Sequence, residues 1–181
     1  MRFEQRAGWA CLGAVMVLGT LGMAPAFAAP VACSVFKASF LKATSDLKSD
    51  FVRPLIVSRG GPSKDDVFDL VSSERVDGVL QCRGETLRRF EAKIPVPSPQ
   101  SLTASFEHVQ KAAMMAAFKW PQARADSAAR TINTEAAEYL QASIQRGDVV
   151  LAGKTEYHEA GGDLGMMWTP VQRTFVVVGE E

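Results

Sequence analysis

Three cysteines and two histidines set narrow limits on the chemistry open to this chain. The histidines are His108 and His158, so nucleophilic catalysis of the Ser-His-Asp or Cys-His kind has few available bases. His108 follows Glu107 on a helical stretch, where solvent would hold it. His158 closes an expected strand beside Glu159, and the chain returns through a glycine-rich loop to Met166, Met167 and Trp168. Imidazole combined with thioether sulfur is a soft donor set that favours Cu(I). His158, Met166 and Met167 are therefore the candidate metal ligands, with copper the candidate cofactor. Against this, successive strand residues point to opposite faces, and methionine and tryptophan also serve as core fillers.

Other patterns are weaker. Ser34/Lys37, Ser39/Lys42 and Ser45/Lys48 match S-x-x-K, a spacing that sets a lysine amine against a serine hydroxyl one helical turn away in penicillin-interacting enzymes. A lysine-rich amphipathic helix generates the same matches, and no Ser-Asp-Asn or Lys-Thr-Gly companion is present. Gly153, Lys154 and Thr155 resemble the end of a phosphate-binding loop, but Gly147 lies one residue too far upstream. Glu156, Glu159 and Asp163 lack the spacing of a calcium loop. Arg83, Arg88 and Arg89 form the densest basic spot, at a hairpin tip, where a carboxylate or phosphate could be held bidentately. Glu85 and Glu91 are interleaved with them and favour local ion pairs. No G-x-S-x-G elbow occurs. The sequence thus offers no persuasive catalytic constellation.

The cysteines read differently once the N-terminus is considered. No charged residue occurs between Arg6 and Lys37. Arg2 and Arg6 precede an apolar stretch from Trp9 to Met23, and Ala26, Phe27, Ala28 form the A-x-A pattern of a Sec-type signal peptide. Cleavage is expected after Ala28, leaving residues 29–181 as one domain with no stable membrane anchor. Gly13, Gly19, Gly22 and Pro25 dilute the apolar run below the ~20 apolar residues a spanning helix needs. Cleavage would remove Cys11 and leave Cys33 and Cys82, a pair that reads as a disulfide in an oxidising compartment. Lipidation of Cys33 is the alternative, and Pro30, Val31, Ala32 lacks the leucine expected before a lipoprotein cysteine. The expected location is a bacterial periplasm, or secretion. Twenty basic and twenty acidic residues, spread along the chain, leave no electrostatic footprint for nucleic acid.

The elements that must position these residues follow from periodicity. Cys33, Phe36, Phe40 and Leu47 share one face of a first helix. Residues 51–58 read as a short strand which Pro54 confines to an edge. Residues 64–73 are ambiguous: Asp65 and Asp66 after Ser63 start a helix well, whereas Phe68, Leu70 and Ser72 alternate as a strand would, and the helix is favoured. Val79–Arg83 and Leu87–Ile94 read as strands, the second with Phe90, Ala92 and Ile94 alternating with Arg89, Glu91 and Lys93. Ser98 is expected to cap a helix whose first residue is Pro99 and whose apolar face runs through Leu102, Phe106, Val109, Ala113 and Ala116. Pro121 restarts a second helix, broken near Asn133 and ended by Gly147. Val149–His158 and Val171–Val178 close the chain as strands joined by a loop holding Gly161, Gly162 and Gly165.

The expected fold is α+β: a small antiparallel sheet packed against an N-terminal helix and a central helical pair, ending in a C-terminal β-hairpin. The expected function is an exported, non-catalytic protein that binds a partner protein or small ligand in the cell envelope. A small periplasmic hydrolase with an unlocated site, or Cu(I) binding at the last hairpin, are the alternatives.

Overall fold

Every fully buried large side chain of the longest strand lies on the same side, and that strand sits at the centre of the sheet. The computed structural model describes residues 30–47, 55–58, 65–71 and 76–179. The expected signal peptide, residues 1–28, lies outside the described residues, as do 51–54 of the first expected strand. In chain order the elements are α1 (Cys33–Asp46), β1 (Leu55–Ser58), β2 (Asp65–Val71), β3 (Asp77–Arg83), β4 (Thr86–Pro95), α2 (Gln100–Phe118), α3 (Gln122–Arg146), β5 (Gly153–Glu159), β6 (Gly162–Trp168) and β7 (Gln172–Gly179). The strands form one seven-stranded antiparallel sheet in the order β1-β2-β3-β4-β7-β6-β5. Two meanders therefore meet edge to edge where β4 pairs with β7, and the α+β expectation is met.

The helices pack on one face of this sheet. Leu87, Phe90, Ala92 and Ile94 of β4 and Phe175 and Val177 of β7 are buried beneath them. Phe36 and Phe40 of α1 bring their rings to 5.4 and 5.2 Å from that of Phe90, close enough for aromatic contact beyond simple burial. The Cys33–Cys82 disulfide, with Cα atoms 6.0 Å apart, ties the first turn of α1 to β3. Beside it the Cys33 amide donates to the Glu85 carbonyl and the Leu87 amide to that of Val31. Buried alanines, Ala112, Ala113 and Ala116 on α2 and Ala125, Ala129 and Ala136 on α3, let the last two helices approach each other and the sheet closely.

Several local expectations are corrected. Residues 65–71 form strand β2, not a helix, because this segment has ladders on both sides: Phe68 pairs with Leu80 in β3 and with Ser58 in β1. Gly78 makes room there, since a Cβ on it would lie 2.7 Å from the Leu70 Cβ. The glycine-rich connection before the last strand is itself strand β6, paired on both edges, so the C-terminal part is a three-stranded meander. Its hairpin turn places Gly161 at φ +100°, a conformation that favours glycine. Asn133 does not break α3, because its amide donates to the Ala129 carbonyl one turn back and to Gln110 on α2. The residue capping α2 is Pro99, and the Ser98 hydroxyl donates to the Pro95 carbonyl instead. Gly147 ends α3 in the left-handed conformation, as expected.

Candidate functional site

Strand alternation sends every second residue away from the helices, and the register aligns those residues in rows. Lys93, Thr174, Met167 and Lys154 form one row across β4, β7, β6 and β5. Glu91, Val176, Gly165 and Glu156 form the next, and Arg89, Val178, Asp163 and His158 the third. All of them except His158 line a groove of about 440 Å³ on the face opposite the helices. Its floor is Val176, Val178, Thr174 and Met167 with Gly165 between them and the Asp163 carboxylate at one end, and its walls carry the charged side chains of β4 and β5.

Those charges are paired within each wall. On β4, Glu91 accepts from Arg89 Nη2 at 2.5 Å and from Arg89 Nε at 3.1 Å, and also pairs with Lys93. Partial burial of Glu91 works against ionisation, but hydrogen bonds from Lys93 and Arg89 outweigh it and hold the carboxyl below the usual range. On β5, Lys154 Nζ lies 2.8 Å from Glu156 Oε2. At one end His158 Nδ1 lies 2.7 Å from Asp163 Oδ1, and that bond raises the histidine pKa.

Gly165 differs in kind from the other strand glycines. A Cβ on Gly153, Gly162 or Gly179 would lie 1.8, 2.1 or 2.0 Å from a backbone carbonyl oxygen, so packing forbids a side chain there. A Cβ on Gly165 would meet only the Thr155 carbonyl, at an ordinary 3.4 Å, and its φ is not left-handed. Glycine within a strand costs roughly 0.5–1 kcal/mol relative to alanine, and often marks close approach of a ligand or another backbone. Its effect here is to leave the middle of the groove floor open.

The residues singled out from sequence are distributed differently. His158 is in register with Asp163, whereas Met166 and Met167 pair with Thr155 and Lys154, some three and four residues away along β5. At about 3.3 Å per residue this is roughly 10 and 13 Å, so the hairpin does not bring the three together. The turn at Gly161 puts the histidine at the closed end of the ladder and the methionines at the other. Met166 also points to the helices, where its sulfur accepts from Gln110 Nε2 at 3.3 Å, while Met167 points into the groove. Trp168 carries the Arg173 guanidinium 3.9 Å over its ring. Among the described residues no three His, Cys, Asp or Glu side chains cluster as a metal site. Of the three arginines, only Arg89 lines the groove, because a bulge opposite Gln81 and Cys82 leaves Arg88 out of the ladder. In α1, Lys37 lies 3.8 Å over the Phe68 ring and Lys42 pairs with Asp46. Gly153 and Lys154 open a strand, which is not the setting of a phosphate-binding loop.

His108 is buried, not solvated: its Nε2 donates to the Thr44 carbonyl near the end of α1 at 3.1 Å. Burial lowers its pKa, opposed by that bond and reinforced by Lys111. In an NMR titration His108 should protonate below, and His158 above, the ordinary histidine value of about 6.5. Asp163→Asn should bring His158 back toward that value and leave His108 unchanged; coincident midpoints in the wild type would refute both assignments. Because the folded pKa of His108 is depressed, its contribution to stability is present above pH ~6.5 and is lost as pH falls toward the folded value.

A smaller cavity of about 250 Å³ lies between α3 and the β5–β6 edge, lined by Trp120, Ile132, Tyr157 and Leu164. Arg124 stacks 4.1 Å over Trp120 and holds Glu159 with two bonds of 3.0 Å. The Tyr157 hydroxyl donates to Glu135, a bond that pushes its pKa up to about 12. Sequence reading missed this cluster, since Arg124 and Glu135 stand in no motif and Glu159 was grouped with Glu156 and Asp163. The wall of β4 was visible as the alternation of Arg89, Glu91 and Lys93, but nothing local placed β5 three strands away.

No protein-family model, curated protein or solved structure matches the chain.

Proposed function

We propose that the protein is exported and non-catalytic, and that it binds in its groove a ligand carrying both positive and negative groups. The open floor at Gly165 is the observation that carries this reading: a Cβ there would make only an ordinary contact, and the groove has none. A volume of about 440 Å³ is within the usual ligand-site range of roughly 300–1,000 Å³. A floor that is mainly apolar, between charged walls, matches the general composition of such sites. The groove carboxylates are held by cations, which suits recognition better than proton transfer. The Cys33–Cys82 bond agrees with an oxidising compartment, as the periplasm or the outside of the cell would be. Among the described residues no helix is long and apolar enough to cross a membrane.

The test is an amide chemical-shift experiment on the ¹⁵N-labelled mature chain with three probe classes at millimolar concentration: free amino acids, short peptides and neutral disaccharides. Shifts should concentrate on the groove-facing residues of β4, β7, β6 and β5 for a charged class and be absent for the sugars. Gly165→Leu should keep the wild-type fold and lose those shifts. Failure of every class to move the groove, or shifts unchanged by Gly165→Leu, would refute the reading.

A further inference from the structure

We infer that the protein forms a two-fold symmetric dimer in which β5 pairs antiparallel with β5 of a second copy, and the apolar segment before β5 in each copy covers the Trp120 cavity of the other. This contact is independent of what the groove binds.

β5 ends the sheet, and among the described residues its only backbone partner is β6. Its seven residues leave alternate N–H and C=O groups without a ladder on the outer side, and another strand is what completes them. The opposite edge, β1, offers four residues.

The two ends of β5 differ, and each supplies what the other lacks. Toward its end, Tyr157 and Glu159 line the 250 Å³ cavity with the apolar Trp120, Ile132 and Leu164. Before its start stand Val149, fully exposed, and Val150, 77% exposed, followed by Leu151. Antiparallel pairing of a strand with its own copy lays the start of one against the end of the other. An exposed apolar segment thus meets an apolar cavity twice in each dimer, which is the self-complementarity a two-fold interface requires. About 250 Å³ is below the roughly 300 Å³ at which small-molecule sites begin, and suits a side chain from a neighbouring copy.

Charge sets the register. Residues directly opposite in an antiparallel pair share a face of the sheet. With Thr155 on the two-fold axis, Lys154 stands opposite the copy's Glu156, and Glu156 opposite the copy's Lys154, at well-exposed positions. The ion pair within each strand becomes a network of four charges across the axis. The copy's Leu151 then stands opposite Glu159, on the cavity side of the sheet. Moving the axis to Lys154 or to Glu156 would set that charge against itself, and moving it to Tyr157 would carry Leu151 past the cavity. Charged side chains ordinarily guard an edge against pairing. Here opposite signs two residues apart make the edge selective for one register.

α3 leaves room for the copy, because it packs on β6 as well as β5 and so is set back from the edge. Tyr139, one turn beyond the Glu135 that holds Tyr157, is more than half exposed and would meet its counterpart there.

Sedimentation equilibrium of the disulfide-bonded mature chain, from micromolar to millimolar concentration, should show a monomer–dimer equilibrium. Lys154→Glu and Glu156→Lys each place two like-charge pairs across the axis and should each weaken the dimer roughly tenfold or more. An equimolar mixture of these variants should form a heterodimer about as tight as the wild-type dimer, since one copy's acidic pair then faces the other's basic pair. That recovery also shows that both variants fold. Val149→Asp/Val150→Asp, at exposed positions, should weaken the dimer by a similar factor, and Gly165→Leu should leave it unchanged. A wild type monomeric throughout, a Lys154→Glu variant that dimerises as well as wild type, a mixture that stays monomeric, or a dimer indifferent to Val149→Asp/Val150→Asp would overturn the inference. So would a dimer that Gly165→Leu dissociates, because the copies would then meet across the groove.

Discussion

Replacing Cys82 by serine is expected to lower the free energy of unfolding by about 4 kcal/mol through loss of the cross-link alone, while leaving far-ultraviolet circular dichroism unchanged. The bond joins residues 49 apart in sequence, so it closes a long loop and restricts the unfolded chain accordingly. Strands β1 and β2 and most of β3 lie inside that loop. In the folded state α1 keeps its other anchors, the Phe36 and Phe40 contacts with Phe90 and the backbone bonds beside Cys33, so the helix should persist. For a chain of this size the loss corresponds to a fall in melting temperature of roughly 8–16 °C. Cys82 is 1% exposed, and a serine hydroxyl left there without a partner would add about 1–3 kcal/mol of its own. The Cys33→Ala/Cys82→Ala double variant removes that contribution and isolates the cross-link. Urea unfolding of wild type and both variants would measure it, and superimposable curves would show that the bond contributes nothing to stability.

Gly153→Ala is expected to destabilise by about 3 kcal/mol, the upper end for overpacking by one methyl group. The new Cβ would lie 1.8 Å from the Ala136 carbonyl oxygen and 2.4 Å from the Leu140 amide nitrogen. Both are backbone atoms inside α3, so no side-chain rotation relieves the clash. Either the helix lifts from β5 or the strand bends, and buried contacts of Ala136 and Ile132 are lost in both cases. Gly165→Ala is the matched control on the neighbouring strand: its Cβ finds ordinary space, so its stability should stay within about 1 kcal/mol of wild type. Urea midpoints for the pair should differ strongly. If Gly153→Ala is tolerated as well as Gly165→Ala, α3 does not lie on β5 at this distance.

The same contrast explains how far sequence reading could go. The alternation of β4 and the apolar face of α1 were legible because each is a local pattern with a single favourable way to bury it. The Cys33–Cys82 pair was legible because only two cysteines follow the expected signal peptide. Strands β2 and β6 were not. Residues 65–71 carry a good helix start, and β6 has glycine at 162 and 165, so local preference pointed elsewhere in both. What makes them strands is hydrogen bonding on two edges by partners distant in sequence, and such context overrides weak propensity.

The proposed site divides along the same line. Sequence alone determined that Arg89, Glu91 and Lys93 lie on one side of a strand and Phe90, Ala92 and Ile94 on the other, since a period of two admits no other arrangement. It also identified the cysteine pair that ties α1 to the sheet. Only the tertiary structure decided that β7 and β6 separate β4 from β5, and so which charges face one another across a glycine floor. The difference is physical: the face a residue takes is set by the pleat of its own strand, whereas strand order is set by nonlocal ladders and the packing of three helices on one side.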